Sequence, residues 1–225
     1  YEYCDLLITG SGPSGLASAY AAAKNGARVI LAEDKPRFGG SLLTSDVNIG
    51  NQTGVEWTEK IIAELKSMPN VTVKNRSQVF GYYDHNMLVM SERISDHLPK
   101  TQKYLPKQRL WYIRANEVLI SSGSIERPLV FGNNDTPGVM LSSAAKEYMK
   151  VYGVLVGKKP LIFTNNDSGY ETAIEFKKNG VNPIILDTRS NPSSDIITEA
   201  KNLNIEIRFS YVVVAAKGYK KVKSA

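Results

Sequence analysis

Apolar residues cluster in the first 33 positions as two short runs on either side of a helical segment. The run 3–9 is mostly apolar and stops at a glycine, as strands buried on both faces of a parallel sheet do. Residues 13–25 are rich in alanine and are followed by Gly26, which is typical of a helix end. A second apolar run, 28–32, ends at an acid. The opening of the chain therefore predicts a strand–helix–strand unit.

The middle of the chain predicts a helix and then an antiparallel meander. Apolar residues recur at helical spacing over 56–68, where a proline and an asparagine end the pattern. Residues 117–121 predict one more buried strand, and we expect 91–107 to be mostly loop. The meander, placed at about 71–114, is predicted from four short β-rich runs separated by turn residues: 71–73, 79–83, 87–90 and 110–113.

The strand–helix–strand pattern recurs in the second half of the chain. An acid follows the last glycine of the turn by 18 residues in both copies, from Gly15 to Glu33 and from Gly169 to Asp187. We therefore predict an α/β fold with a doubly wound parallel sheet of the Rossmann type and two domains. The first is 1–130, with the meander inserted, and the second is a partial, degenerate copy at 131–225. The second half predicts strands at 160–164, 183–187, 205–209 and 211–214, and helices at 142–152, 169–178 and 194–202.

Composition narrows the function classes. The chain has 225 residues, a formal net charge of +6 and one cysteine, Cys4. One thiol excludes an internal disulfide and a zinc ribbon, and no apolar run reaches the 18 residues of a membrane span. The basic residues are dispersed, so we expect neither nucleic acid nor a membrane as a partner. We expect a cytoplasmic protein and, because no methionine opens it, a piece of a longer chain.

The sharpest chemical signal is the segment GSGPSG at residues 10–15, a GxGxxG pattern between a predicted strand and a predicted helix. The three glycines suit a tight turn, the approach of a pyrophosphate to the backbone, and close packing of helix on strand. The N–H groups and partial positive charge of the helix N-terminus favour phosphate. A glycine turn without a ligand is the alternative. The predicted contacts of a dinucleotide are Gly10, Gly12, Pro13, Ser14 and Gly15.

Glu33 lies at the distance from this motif that suits an acceptor for the hydroxyls of the adenosine ribose. Its negative charge disfavours a 2′-phosphate, so NADP is the least expected dinucleotide. The segment that follows combines charges with a double glycine and would wrap along the ribose and pyrophosphate, with Arg37 as a phosphate partner. A surface loop is the alternative for this segment. Its predicted contacts are Asp34, Lys35, Arg37, Gly39, Gly40 and Ser41.

A third candidate segment follows the strand at 117–121. Its small residues would let the backbone approach a bound nucleotide, and a turn at a domain boundary is the alternative. From it we predict contacts by Ser122, Gly123 and Arg127, and from the meander a contact by Val79.

Taken together, these segments resemble the two-dinucleotide-domain flavoprotein fold of the pyridine nucleotide-disulfide reductases. Five further segments make the resemblance more specific: FGGSLL at 38–43, GSIERPLVF at 123–131, NND at 133–135, PGVM at 137–140 and FTNNDS at 163–168. With these segments the chain is similar, within that group, to the α subunits of heterotetrameric sarcosine oxidases. The similarity spans nearly the whole chain and implies the nucleotide-binding, N-terminal part of a much longer subunit.

The resemblance implies NAD at the first site, FAD in another subunit, and FMN near the interface between subunits. It also implies the other sarcosine oxidase subunits as partners in a hetero-oligomer. The implied reaction oxidises sarcosine with O2 to glycine, with H2O2 and either formaldehyde or methylene-tetrahydrofolate. Two alternatives stay open: FAD at the first site, in an FAD oxidoreductase or an amine or opine dehydrogenase subunit, and a nucleotide-binding scaffold without turnover.

Other residues limit the chemistry. With one cysteine, the dithiol chemistry of disulfide reductases is excluded. The second turn, residues 164–169, keeps only its last glycine, and Thr164, Asn166 and Asp167 would crowd or repel a pyrophosphate. We therefore expect the second unit to hold no dinucleotide in the usual pose. We assign no catalytic residue and no metal ligand, and no role to His85 or His97.

Overall fold

The computed structural model describes residues 1–100 and 103–225, which form two compact units, Tyr1–Ser124 and Ile125–Ala225. Both units are built from parallel strands connected by helices, so the predicted α/β class is confirmed. Among the described residues, no helix has the length and apolar character that crossing a membrane requires.

A six-stranded mixed sheet forms the first unit, with strand order β5-β2-β1-β8-β7-β6. The first four strands of this order are parallel, and β7 and β6 continue the sheet in antiparallel pairing. The elements are β1 (Glu2–Thr9), α1 (Pro13–Lys24), β2 (Val29–Ala32), a short hairpin of β3 (Asn48–Ile49) and β4 (Gln52–Thr53), α2 (Gly54–Ser67), β5 (Val71–Lys74), β6 (Ser77–Tyr83), β7 (Met87–Arg93) and β8 (Gln108–Ile120).

An apolar layer packs against each face of this sheet. On one face α1 and α2 pack against β1 and β2, with Ile8, Leu16 and Leu65 fully buried. On the other face Leu7 of β1 packs with Met90 of β7, also without exposure. Because β2 and β8 lie on opposite sides of β1, a crevice opens at the carboxyl end of β1, where doubly wound sheets bind ligands.

Two details of the predicted meander are wrong. Residues 71–73 belong to β5, which pairs with β2 in parallel as part of the Rossmann sheet. The runs 110–113 and 117–120 belong to one strand, β8, whose first part pairs with β7 and whose second part pairs with β1, and Ser121 lies just beyond its end. Between the two runs, Arg114 and Asn116 occupy exposed positions of the strand, which continues through them and exchanges β7 for β1 as its neighbour.

The second unit contains a three-stranded parallel sheet, ordered β11-β10-β9. Its core is made by Tyr170, Phe176, Ile185 and Ile197, which are at most 2% exposed. The elements are α3 (Ser142–Tyr152), β9 (Leu161–Thr164), α4 (Ser168–Lys178), β10 (Ile184–Asp187), α5 (Asp195–Asn202), β11 (Glu206–Phe209) and a hairpin of β12 (Lys217–Gly218) and β13 (Val222–Ser224).

The strand predicted at 211–214 is wrong. Three of its four side chains, those of Tyr211, Val212 and Val214, are more than half exposed. Among the described residues, the only β-pairing beside this run is an isolated bridge between Gly132 and Ala215, the residue that follows it. A β-rich composition favours extended backbone, but a strand also needs a neighbour to pair with.

Candidate functional site

The glycine turn at residues 10–15 joins β1 to α1 at the crevice of the first sheet. Gly10 has φ +99°, and a Cβ atom there would lie 2.3 Å from the carbonyl oxygen of Ser121, just beyond β8. A Cβ atom on Gly15 would lie 2.0 Å from the carbonyl oxygen of Gly10. Both distances are far below van der Waals contact, so these two glycines are required by the packing of the turn itself.

Gly12 differs from its neighbours in the motif. Its backbone is extended, with φ −65° and ψ −179°, and a Cβ atom there would meet nothing within 4 Å. Neither the backbone nor the packing of the first unit therefore requires glycine at this position. Gly12 is the N-cap of α1, with Pro13 at the first helical position and no acid in the first turn. The open space thus lies at a helix N-terminus, where N–H groups lack intrahelical partners.

Glu33 directly follows β2 and is only 5% exposed. Its Oε2 atom accepts hydrogen bonds from the backbone N–H of Ser11, at 2.8 Å, and from the Ser11 hydroxyl. Its Oε1 atom accepts the backbone N–H of Lys35 at 3.0 Å. Burial raises the pKa of Glu33 and the neighbouring Asp34 carboxyl raises it further, against the lowering effect of these bonds. The carboxylate is therefore held against the glycine turn.

Ser11 lies outside the set of residues predicted from sequence. It is 1% exposed, and its carbonyl and hydroxyl oxygens also accept the backbone N–H of Gly39, at 3.1 and 3.2 Å. The signal that points to it is a hydroxyl side chain at the second position of the motif, between the glycines.

The double glycine packs directly on this turn. Gly39 and Gly40 have φ +121° and +53°, and a Cβ atom on Gly40 would lie 2.9 Å from the Cα atom of Gly12. The structure thus brings Gly39 and Gly40 to the motif, as part of the segment that enters the 3-10 helix Gly40–Leu43. The remaining predicted residues of this segment are exposed: Asp34, Lys35, Arg37 and Ser41.

A cleft of about 260 Å³ opens beside the carboxyl ends of β1 and β8. It brings together Val79 and Ser122, two of the predicted contacts, with Thr9, the residue before the motif. Phe80, Leu88 and Ile120 make its lining mostly apolar, and they are outside the set predicted from sequence. The β-bulge between Val79 and Gly81, which places Phe80 in the lining, has no signal in the hydrophobic pattern.

The segment after β8 reaches the turn only in part. Ser121 contacts Gly10, and its buried hydroxyl has no hydrogen-bond partner among the described residues. Gly123 has φ +71° and open space at its Cβ position. Arg127 lies in the second unit and is exposed, and its contact with a nucleotide stays a prediction.

In the second unit the corresponding turn is occupied by its own side chains. The hydroxyl of Thr164 donates to the carbonyl oxygen of Asn166 at 2.8 Å. The side-chain oxygen of Asn166 accepts the backbone N–H of Ser168 at 2.9 Å, at the start of α4. Only Gly169 keeps a close packing role, since its Cβ atom would lie 2.8 Å from that of Thr164.

The acid of the second unit is neutralised internally. Asp187 has no exposure and accepts hydrogen bonds from the Tyr170 hydroxyl, at 2.6 Å, and from the Arg189 guanidinium, at 2.8 Å. Arg189 also forms an ion pair with Asp167 of the turn, at 2.8 Å. Burial raises the pKa of Asp187, but the bonds from Arg189 and Tyr170 outweigh it and leave the pKa below its ordinary value. This arrangement supports the prediction that no dinucleotide binds there in the usual pose.

Within residues 1–100 and 103–225, no group of three or more His, Cys, Asp or Glu side chains is placed to hold a metal ion. Cys4 is 2% exposed in β1, and burial raises the pKa of its thiol to about 11. This thiol is therefore protonated and inaccessible.

Comparison with known proteins identifies relatives of this chain. Residues 5–100 match the family model of the FAD dependent oxidoreductases. The sarcosine oxidase α subunit of Rhizobium meliloti (strain 1021) is 40% identical over 225 residues, which are all of this chain and 22% of that subunit. An opine oxidase subunit of Agrobacterium tumefaciens (strain Ach5) is 26% identical over 174 residues, 72% of this chain and 33% of that relative.

Among solved structures, thioredoxin reductase of T. acidophilum has a TM-score of 0.70 at 18% identity and covers 98% of this chain and 68% of that one. This likeness concerns the fold alone, and it supports the predicted Rossmann-type flavoprotein architecture. The predicted resemblance to sarcosine oxidase α subunits is confirmed, since these subunits are homologues of the chain over its whole length. The chain spans about a fifth of the length of the α subunit that it matches.

Proposed function

We propose, from this homology, that the chain is the dinucleotide-binding portion of a sarcosine oxidase α subunit. The observation that carries the proposal is the open space at Gly12, at a helix N-terminus and beside a buried carboxylate. If the turn alone needed glycine there, Gly12 would have a positive φ or a close contact at its Cβ position. Gly10 has both of these features, and Gly15 has the close contact.

The residues at the turn suit an adenine dinucleotide. The backbone at Gly12 and the first N–H groups of α1 would hold the pyrophosphate, because donors without intrahelical partners converge there. Gly40 packs against Gly12, so the double-glycine segment would border the same phosphates. Ser121, whose backbone carbonyl packs on Gly10, carries a buried hydroxyl without a partner among the described residues, which is a further potential donor near the turn. When bound, the dinucleotide would supply hydride or electron transfer, which no side chain of this chain provides.

Glu33 would accept a hydroxyl of the adenosine ribose. An ionised carboxylate only accepts hydrogen bonds, and those from Ser11 and Lys35 hold both oxygens of Glu33 in place beside the exposed Asp34. A second negative charge beside this buried group would be repelled, which disfavours NADP. We place the adenine ring in the apolar cleft that contains Val79 and Ser122.

NAD is the dinucleotide that the resemblance to sarcosine oxidase α subunits implies for this site. FAD is the second candidate, and the match of residues 5–100 to FAD dependent oxidoreductases favours it. In either case the residues of this chain bind and orient the nucleotide, and we assign them no proton transfer and no covalent step. For the whole assembly we propose the oxidation of sarcosine, partner subunits that carry FAD and FMN, and a cytoplasmic location. The opine oxidase relative supports the broader class of amine oxidation.

Identification of the bound small molecules tests the proposal. The intact protein, purified with its accompanying subunits, is denatured by heat, and the released compounds are identified by mass and quantified per chain. We expect one NAD per chain in addition to any flavin. Release of flavin alone would favour FAD at this site. If neither is released, and neither binds when added back, the chain is not a dinucleotide-binding portion.

The Glu33→Ala variant tests the ribose contact. We expect the dissociation constant for the dinucleotide to rise by the equivalent of about 1 to 3 kcal/mol, the scale of a lost hydrogen bond to a charged group. Isothermal titration of the intact protein, stripped of bound nucleotide, measures the change. Glu59→Ala, at an exposed position of α2, is the matched control. An unchanged affinity in Glu33→Ala would remove Glu33 from the site.

A further inference from the structure

Ser11 connects three segments of the first unit. Its backbone N–H and its hydroxyl both donate to Oε2 of Glu33, which follows β2. Its carbonyl and hydroxyl oxygens both accept the N–H of Gly39, in the double-glycine segment. Ser11 itself stands between Gly10 and Gly12 of the turn and is 1% exposed. One buried side chain thus ties together the three segments that the proposed ribose and pyrophosphate would contact.

This arrangement fixes the direction of the Glu33 carboxylate. A glutamate side chain has several rotatable bonds, and ordering it at the moment of binding costs conformational entropy. Here both donors of Ser11 act on the same oxygen, Oε2, and the backbone N–H of Lys35 donates to Oε1, so both oxygens of the carboxylate are held in place. The acceptor is therefore oriented before a ligand arrives.

We propose that Ser11 is a positioning residue for the adenosine ribose, acting through Glu33 and through the Gly39–Gly40 segment. It touches no ligand atom itself in this role. The inference rests on the proposed function, because it assumes that Glu33 accepts a ribose hydroxyl. It differs from a purely structural role for Ser11, in which loss of the hydroxyl would weaken binding of any nucleotide equally and independently of Glu33.

A double-mutant cycle separates these roles. The proteins are wild type, Ser11→Ala, Glu33→Ala and the double variant, each as the intact protein stripped of bound nucleotide. The probes are ADP, which carries the adenosine diphosphate common to NAD and FAD, and 2′-deoxy-ADP, which lacks one ribose hydroxyl. Dissociation constants are measured by isothermal titration. Ser67→Ala is the matched control, since it also removes a hydroxyl that donates a hydrogen bond, here to the backbone carbonyl of Glu64 at an exposed helix end.

We expect Ser11→Ala to weaken ADP binding about tenfold, to weaken 2′-deoxy-ADP binding much less, and to have no further effect in the Glu33→Ala background. Ser11→Thr, which keeps the hydroxyl, should recover most of the ADP affinity. Ser67→Ala should bind both probes as wild type does.

Two results would overturn the inference while leaving the proposed function intact. One is equal weakening of both probes by Ser11→Ala, and the other is the same loss with and without Glu33. Failure of wild type to bind ADP is a different outcome, since it would contradict the proposed function itself. Hydrogen exchange of β1 and β2 in each variant reports whether the first unit stays folded.

Discussion

The Gly12→Val variant is expected to lose dinucleotide binding by at least about a hundredfold while the first unit stays folded. Valine is compatible with the extended backbone at this position, and its Cβ atom would meet no protein atom within 4 Å. The side chain would instead fill the space in which we place the pyrophosphate and would keep phosphate oxygens from the N–H groups of α1. Loss of several such charge-assisted hydrogen bonds exceeds the effect of any single side-chain contact.

Two measurements on the intact protein check this expectation. The amount of NAD or FAD released on heating should fall for one dinucleotide only, which also identifies the occupant of the first site. Hydrogen exchange of β1, β2 and β8 should stay as slow as in wild type. Gly157→Ala, at a glycine of the second unit with open space at its Cβ position, is the control. Undiminished dinucleotide content in Gly12→Val would show that the pyrophosphate lies elsewhere.

The Gly15→Ala variant is expected to act in the opposite way, by destabilising the first unit before any effect on binding is seen. Its Cβ atom would lie 2.0 Å from the carbonyl oxygen of Gly10. The obstacle is backbone and cannot move away as the end of a flexible side chain could. In a helix, alanine is more favourable than glycine by about 1 kcal/mol. Separating α1 from the turn would cost more than this gain, about 3 kcal/mol or above.

Hydrogen exchange of the intact protein distinguishes this effect from a local one. Peptides of β1, α1 and β2 should exchange faster by about a hundredfold, which corresponds to about 3 kcal/mol, while peptides of β10 and α4 in the second unit should not change. Gly157→Ala again serves as the matched glycine-to-alanine control. Wild-type protection of β1 in Gly15→Ala would mean that the turn can relax and that the close approach is not essential.

The glycines of this one motif are of different kinds. Gly10 and Gly15 are required by contacts within the protein, whereas Gly12 faces open space. The GxGxxG motif predicts a separate role for each glycine, and the structure shows which of the three are enclosed by protein atoms. If both expectations hold, Gly15 serves the fold and Gly12 serves the ligand.

The same distinction applies to the acids of the two units. The sequence places Glu33 and Asp187 at equal distances from their glycines and predicts from the degenerate turn that only the first serves a nucleotide. In the structure Glu33 is held by an uncharged serine, whereas Asp187 is paired with Arg189, which also binds Asp167. The Arg189 guanidinium, which could otherwise bind a phosphate in the second unit, is thus already paired within the protein.

The sequence by itself determined the fold class, the two strand–helix–strand units and the position of the glycine turn, because periodicity and turn chemistry are local properties of the chain. Tertiary structure alone decided the continuity of β8, the parallel pairing of β5, the cleft beside Val79 and the hydrogen bonds of Ser11. Each of these depends on which strand or loop becomes a neighbour across the sheet. Ser11 and Glu33 are 22 positions apart in the chain, and their contact exists only because β1 and β2 lie side by side.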